Sequence, residues 1–147
     1  MDTFIFHRST YTPSMMLSIP LTTFAVAELN KIQRRATQAM LNKLGVNKNF
    51  PCRVAFSPKD MCGMALLGLS IGQGVRQAKH FLNHLFAADS VGNLILIALR
   101  CLQLESGCGF HLLEQPKETV TYITECWLTS LRDFLTRHSM ASTVTDS

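Results

Sequence analysis

The nine residues Leu66–Gly74, "LLGLSIGQG", decide between two folds. Within them Gly68-Leu69-Ser70-Ile71-Gly72 satisfies G-x-S-x-G, the strand-to-helix elbow that exposes a nucleophilic serine in α/β-hydrolases. Such an elbow needs parallel strands before it and Asp or Glu, then His, after it. Asp89 or Glu105, followed by His111 or His138, meets the second demand. The first is unmet, because nothing upstream reads as a stack of central strands and 147 residues barely cover such a sheet. A helix start explains the same letters. On that reading Leu66–Leu69 is an apolar anchor, Ser70 is the N-cap whose oxygen takes a first-turn N–H, and Gln73-Gly74 lie in the first turn.

Working outward, helical periodicity dominates. Leu21, Ala25, Leu29, Ile32, Ala36, Met40 and Leu44 recur at three- and four-residue steps, after Pro20 and before Gly45. This spacing predicts an amphipathic helix closed by a left-handed glycine. Downstream, Val75, Ala78, Phe81 (or Leu82) and Leu85 continue the helix that Ser70 opens. Asp89 and Ser90 cap a further helix over Val91–Leu104, dense in Leu and Ile and expected to be buried on most sides. After a Gly107-Cys108-Gly109 loop, Pro116 is expected to open the last helix, with Val120, Ile123, Trp127, Leu131 and Leu135 on its core face. Glu118 in its first turn and Arg137 and His138 in its last suit the helix dipole. Residues 46–69 are the least helical, with short strands expected at Arg53–Phe56 and Ala65–Leu67 in a minor hairpin. The expected fold is therefore all-α: about four packed helices in a single domain over 20–138, interrupted near 46–69. An extended lead-in covers 1–19 and a disordered polar tail covers 139–147.

Composition narrows the function. The chain is 47% hydrophobic and 16% charged, enough apolar residues to build a core. Five cysteines without a C-x-x-C read as buried free thiols of a reducing compartment. Met15–Ala27, "MMLSIPLTTFAVA", ends like a signal-peptide cleavage site, but Ser18, Pro20, Thr22 and Thr23 break its apolar run. The expected location is intracellular, nucleus or cytoplasm. No apolar stretch approaches the roughly 20 residues of a membrane span.

The net charge of +4 conceals a local run. Lys31, Arg34, Arg35, Lys43, Lys48, Arg53 and Lys59 fall in a stretch with no Asp or Glu, while the rest of the chain is net acidic. Such a field suits phosphate or another polyanion, held through backbone contacts without base readout. It equally suits a solvated helix face followed by a loop. Other chemistry is thin. His80 and His84 have metal-ligand spacing but lack the glutamate of H-E-x-x-H and would need His111 or a cysteine as a third ligand. Gly68, Gly72 and Gly74 are not spaced as a dinucleotide fingerprint. Trp127 reads as a core anchor rather than a base-stacking platform. No catalytic residue, metal or cofactor is assigned.

Several elements occur in an order that resembles a known family. They are Leu29-Asn30-Lys31-Ile32-Gln33, Leu44-Gly45-Val46-Asn47, Pro51-Cys52-Arg53-Val54, Gly63-Met64-Ala65-Leu66-Leu67-Gly68-Leu69 and Gln73-Gly74. Together they are similar to non-LTR (LINE-type) retrotransposon reverse transcriptase polyproteins, in the helical region downstream of the polymerase palm. "LRCLQLESGCGF" and "WLTSLRDFL" extend the likeness across residues 11–137. Position 62, where such sequences often carry a second glycine, is Cys62.

The resemblance implies a non-catalytic thumb or post-thumb fragment that helps grip primer–template. The family's RNA-directed DNA polymerase activity uses a Tyr/Phe-x-Asp-Asp turn, and no Asp-Asp pair occurs here. The implied partners are nucleic acid and an upstream polymerase core, with neither a membrane nor a small-molecule substrate. A helical protein-interaction module using Val91–Leu104 is the alternative, and a small hydrolase using Ser70 the remote one. The retroelement reading expects an open frame encoding Tyr/Phe-x-Asp-Asp just upstream of the Met1 codon. Genomic sequencing of that locus checks it, and unrelated sequence there would count against the likeness.

Overall fold

The computed structural model describes residues 2–47, 49–114, 120 and 123–140, and among them it is helical with no strand. Four long helices carry the fold: α3 (Val26–Lys43), α5 (Leu69–Ala87), α6 (Ser90–Ser106) and α7 (Trp127–Arg137). Shorter ones are α1 (Thr3–Phe6), α2 (Thr12–Ser18) and α4 (Cys52–Phe56). Where the sequence suggests one domain over 20–138, the chain divides into two compact units. The first is Met1–Pro20 with Phe24–Gln73, and the second is Leu21–Thr23 with Gly74–Ser147.

The first unit departs from expectation at its start. Instead of an extended lead-in, Thr3–Ser18 is helical throughout, opened by the Asp2 carboxylate, which accepts from Phe4 N–H at 3.0 Å. Pro13 lies in this run, lacks an N–H and would crowd the carbonyl four residues back. The chain absorbs it with a π turn over His7–Tyr11, where Thr12 N–H reaches the His7 carbonyl. The run is held because Met16 and Ile19 bury with Leu29 and Leu69.

Helix α3 starts at Val26, later than the periodicity implies. Leu21 lies in a 3-10 turn and is exposed, and Ala25 is the N-cap, its N–H donating to the Glu28 carboxylate at 3.2 Å. Its end is as expected. Gly45 is left-handed at φ 72° and Val46 N–H returns to the Leu41 carbonyl.

The expected hairpin is absent. Arg53–Phe56 falls within α4, and the chain from 63 to 68 is irregular. Cys52–Phe56 is helical because Ala55 drops into a cluster with Met40, Leu41 and Leu66, while Leu66 N–H and Met64 N–H bond back to the Ala55 and Val54 carbonyls. Gly63 passes directly over the Ser57 carbonyl, where any Cβ would collide.

Two hydrogen bonds tie α3 to the start of α5. Leu69 N–H donates to Gln33 Oε1 at 2.8 Å, and Gln33 Nε2 donates to the Leu67 carbonyl at 2.9 Å. A side-chain amide, with one acceptor and two donors, suits this paired task. Gly72 N–H bonds to the Gly68 carbonyl, so Gly68 occupies the N-cap position and Gln33 supplies the capping oxygen. Ser70 is the second residue of the helix, not its cap.

In the second unit, Phe81, Ile95, Leu102, Leu112, Leu113, Leu128, Leu131, Phe134 and Leu135 form one core. Phe81 fills the position left open between it and Leu82, and Val75 and Leu82 are exposed. Gly74 lies against the Phe134 ring, and Gly92 against the His84 carbonyl, so α5 packs closely on α7 and α6 within this unit. Helix α6 is not buried on most sides: Val91, Leu94, Ile97 and Leu104 are exposed.

The last helix begins at Trp127 rather than Pro116; Pro116 and Glu118 lie outside the described residues. Val120 and Ile123 pack on the core without being helical. Val120, Ile123 and Thr124 are β-branched and stiff. Thr124 commits its N–H and hydroxyl to Glu105 at 3.1 and 2.6 Å, which removes a helical donor. Cys126 then serves as N-cap, its N–H donating to Thr129 Oγ1 at 2.8 Å. At the other end Ser139 is left-handed and Met140 N–H reaches the Leu135 carbonyl, so the first two residues of the expected tail close α7. Residues 141–147 lie outside the described set.

Replacing Gln33 with Ala is expected to cost about 1–2 kcal/mol by stranding the Leu69 N–H. Gln33→Glu, which keeps the acceptor and loses the donor, should cost less; urea unfolding with amide exchange at Leu69 measures both. Gly74→Ala forces a methyl into the Phe134 ring and should destabilise by about 1–3 kcal/mol, read by the same unfolding curves.

Candidate nucleic-acid interface

The basic residues sort by helix geometry. At 100° per residue, Lys31, Arg34 and Arg35 point away from Leu29 and Met40, which α3 buries, so the core face dictates an outward cationic stripe. Lys43 stands in the last turn of the same helix, where a cation also suits the dipole. Arg53 is on α4 and Lys59 in a short 3-10 turn, Lys59–Met61. All six are exposed and belong to the first unit. Lys48 lies outside the described residues. Among the described residues none of the six enters an ion pair, and Glu28, the acid nearest in sequence on α3, directs its carboxylate to Ala25 N–H. An exposed set of uncompensated cations attracts polyanions and reads no bases.

The other candidate chemistry resolves into structure. Ser70 sits in regular helix preceded by irregular chain, without the strained strand-to-helix turn a nucleophile elbow requires. Of the acids that would complete a triad, Asp89 is engaged by His84 at 2.7 Å and by Gly92 N–H at 2.7 Å, and Glu105 by Thr124. His138 packs its ring on Phe134, with centroids 4.5 Å apart. A recess lined by Leu96, Leu99, His111 and Leu112 holds about 20 Å³, room for one water and too small for an ester. His80 and His84 do meet, edge to face at 4.5 Å, and His80 also faces the Trp127 ring at 5.7 Å. Among the described residues no three metal-ligating side chains cluster. Trp127 packs against the core of its unit, as an anchor. Among the described residues no single helix is long and apolar enough to cross a membrane.

The thiols differ from expectation. All five are free, but Cys52, Cys62 and Cys101 are exposed and Cys108 and Cys126 half-buried. The cause is local, since Cys101 rides the outer face of α6 and Cys62 a left-handed turn.

Three polar groups that shape the fold have no clear sequence signal. Gln33 looks like any helix-surface glutamine. Gln73 is buried and donates to the Ile19 carbonyl at 3.3 Å. His7 is buried, and its Nδ1 has no hydrogen-bond partner. No family model, curated protein or solved structure matches the chain.

Two titrations follow from this geometry. Burial lowers the His7 pKa from its ordinary 6.5. The unfolded chain then binds the proton more readily, so the first unit should lose stability as pH falls below 6.5 towards the folded value. A His7→Phe variant should flatten that limb in a melting-temperature profile, and an unchanged limb would show that His7 is not its source. The Gly92 N–H bond, then the His84 bond, lowers the Asp89 pKa from 3.8. Its contribution is complete above 3.8 and disappears as pH falls through the lower folded value. Comparing the wild type with Asp89→Asn across acid pH measures it.

Proposed function

We propose that the chain is a non-catalytic helical region that grips nucleic-acid backbone, of the kind found downstream of a retroelement polymerase palm. The observation that carries this reading is the exposed cationic set Lys31, Arg34, Arg35, Lys43, Arg53 and Lys59, with no carboxylate between residues 31 and 59 in the sequence. Lys48 belongs to the same run. Each Lys or Arg that meets a phosphate releases a counterion, which makes affinity steeply salt-dependent and largely indifferent to sequence.

The ordered motifs lend the family reading some support, because their fixed residues are placed to work together. Gln33, which closes the first motif, is hydrogen-bonded to Leu67 and Leu69 of the G-x-x-L-x-x-L element. Leu66 and Leu69 of that element are buried in two clusters. Cys62, at a position where the family pattern favours glycine, has φ 59°, a backbone region that glycine occupies at least cost. These are fold determinants, so they bear on kinship more than on chemistry. An intracellular setting and a polymerase core supplied upstream belong to the same proposal.

Fluorescence anisotropy with duplex DNA and with an RNA–DNA hybrid tests it. The logarithm of affinity should fall against log[salt] with a slope of about −0.9 per phosphate neutralised on duplex. Arg34→Glu, Arg35→Glu and Arg53→Glu together should flatten that slope by roughly one unit for each phosphate no longer neutralised. An unchanged slope removes these residues from the interface, and salt-independent binding removes the proposal. A protein-interaction module is the second reading, favoured by the exposed apolar face of α6.

A further inference from the structure

Helix α6 has two apolar sides. Ile95, Ala98, Leu99 and Leu102 face the core of the second unit. On the other side Leu94 is 65% exposed, Ile97 56% and Leu104 82%, and Cys101 is exposed with them. Positions 94, 97, 101 and 104 are separated by three, four and three residues. That is the a–d–a–d register of a coiled-coil seam, with period 3.5, rather than scattered surface exposure. In this register Arg100 takes position g and Glu105 position e, both exposed.

Those two charges select the occupant. In a parallel pair, a g residue meets the e residue five positions further along the other helix, so Arg100 of each copy meets Glu105 of the other. A two-fold axis makes the contact twice. An antiparallel pair, with Leu104 beside Leu94 of the other copy, would instead set Arg100 against Arg100 and leave the two Glu105 carboxylates about 18 Å apart along the axis, each out of reach of an arginine. Glu105 is already oriented: Thr124 donates to its Oε1 through both N–H and hydroxyl, which fixes the carboxylate at the seam's edge.

We infer that α6 is a homodimerisation surface, pairing in parallel with α6 of a second copy through Leu94, Ile97, Cys101 and Leu104. Four rungs on a 17-residue helix make a short seam, which places the dimer among small, transient interfaces of less than about 1,200 Å² rather than obligate ones. The surface belongs wholly to the second unit and does not rest on the nucleic-acid reading.

Sedimentation equilibrium of the full chain over a wide concentration range, in reductant, tests the pairing. The expected result is a monomer–dimer equilibrium whose dissociation constant rises at least about tenfold in Leu94→Glu with Leu104→Glu, equivalent to about 1.4 kcal/mol. Both positions are exposed, and far-ultraviolet circular dichroism confirms that the variant keeps its helices. Orientation is read separately, with Leu104→Cys in a background carrying Cys52→Ser, Cys62→Ser and Cys101→Ser, which removes the exposed native thiols, and against that background alone as the control. A parallel pair sets the two introduced thiols opposite each other, and a short bismaleimide, adding one thiol to each ring, joins them into a covalent dimer. An antiparallel pair places each beside Leu94 of the other copy, about 15 Å along the axis from its mate. A monomer at every concentration overturns the proposal, as does a dimer indifferent to the two glutamates, an open-ended oligomer, or a dimer in which the Leu104→Cys thiols fail to link.

Discussion

The amide of Gln33 is the contact on which the first unit depends. A helix that begins after irregular chain presents N–H groups with no partner within the helix, and α5 begins after six such residues. Gln33 meets one of those donors and, with its own N–H, the carbonyl two residues earlier, so both sides of the junction are fixed from one side chain. The consequences run outward. Leu66 and Leu69, on either side of the bonded groups, reach two different clusters, one with Met40, Leu41 and Ala55 and the other with Met16, Ile19 and Leu29. The N-terminal run, α3, α4 and the start of α5 are thereby sorted around a single registered turn. An apolar residue in place of Gln33 would bury as well and would specify much less.

Much of this was legible in the sequence, in proportion to how periodic each segment is. Four long helices follow from recurring Leu, Ile and Met, and Gly45 and Asp89 mark an end and a start because their conformational and hydrogen-bonding preferences are local. What failed was set by distant partners. Ser70 has every local qualification for a cap, but the oxygen comes from Gln33, 36 positions before the Leu69 N–H that it accepts. Thr3–Ser18 looks irregular because Pro13 interrupts it, yet a π turn and the burial of Met16 and Ile19 carry the helix past. Val120 and Ile123 show the right spacing for a helix and pack as if in one, but Glu105 claims the backbone at Thr124. In this last segment the pattern marks which residues go inside but not which backbone carries them there.

The candidate interface was legible differently. Charge can be counted from sequence, and the outward direction of Lys31, Arg34 and Arg35 follows from the inward direction of Leu29 and Met40. The absence of carboxylates between residues 31 and 59 was equally visible. The outer face of α6 was hidden, because a helix apolar on two sides looks like a buried one until the core is seen to use only Ile95, Ala98, Leu99 and Leu102.

Among the described residues four non-glycines, Cys62, Ala65, Ala88 and Ser139, hold left-handed backbone, with φ between 48° and 59°. Each costs about 1–2 kcal/mol relative to the right-handed form. Glycine would relieve that cost but add about 0.5–1 kcal/mol of unfolded-state entropy, so the net gain per site is around 1 kcal/mol or less. Cys62 and Ala65 lie three residues apart in one loop, so gains there would couple, while those at Ala88 and Ser139, in separate turns, should more nearly add. The chain therefore holds an untapped reserve of stability at its turns, one that could offset substitutions made elsewhere without repacking either core.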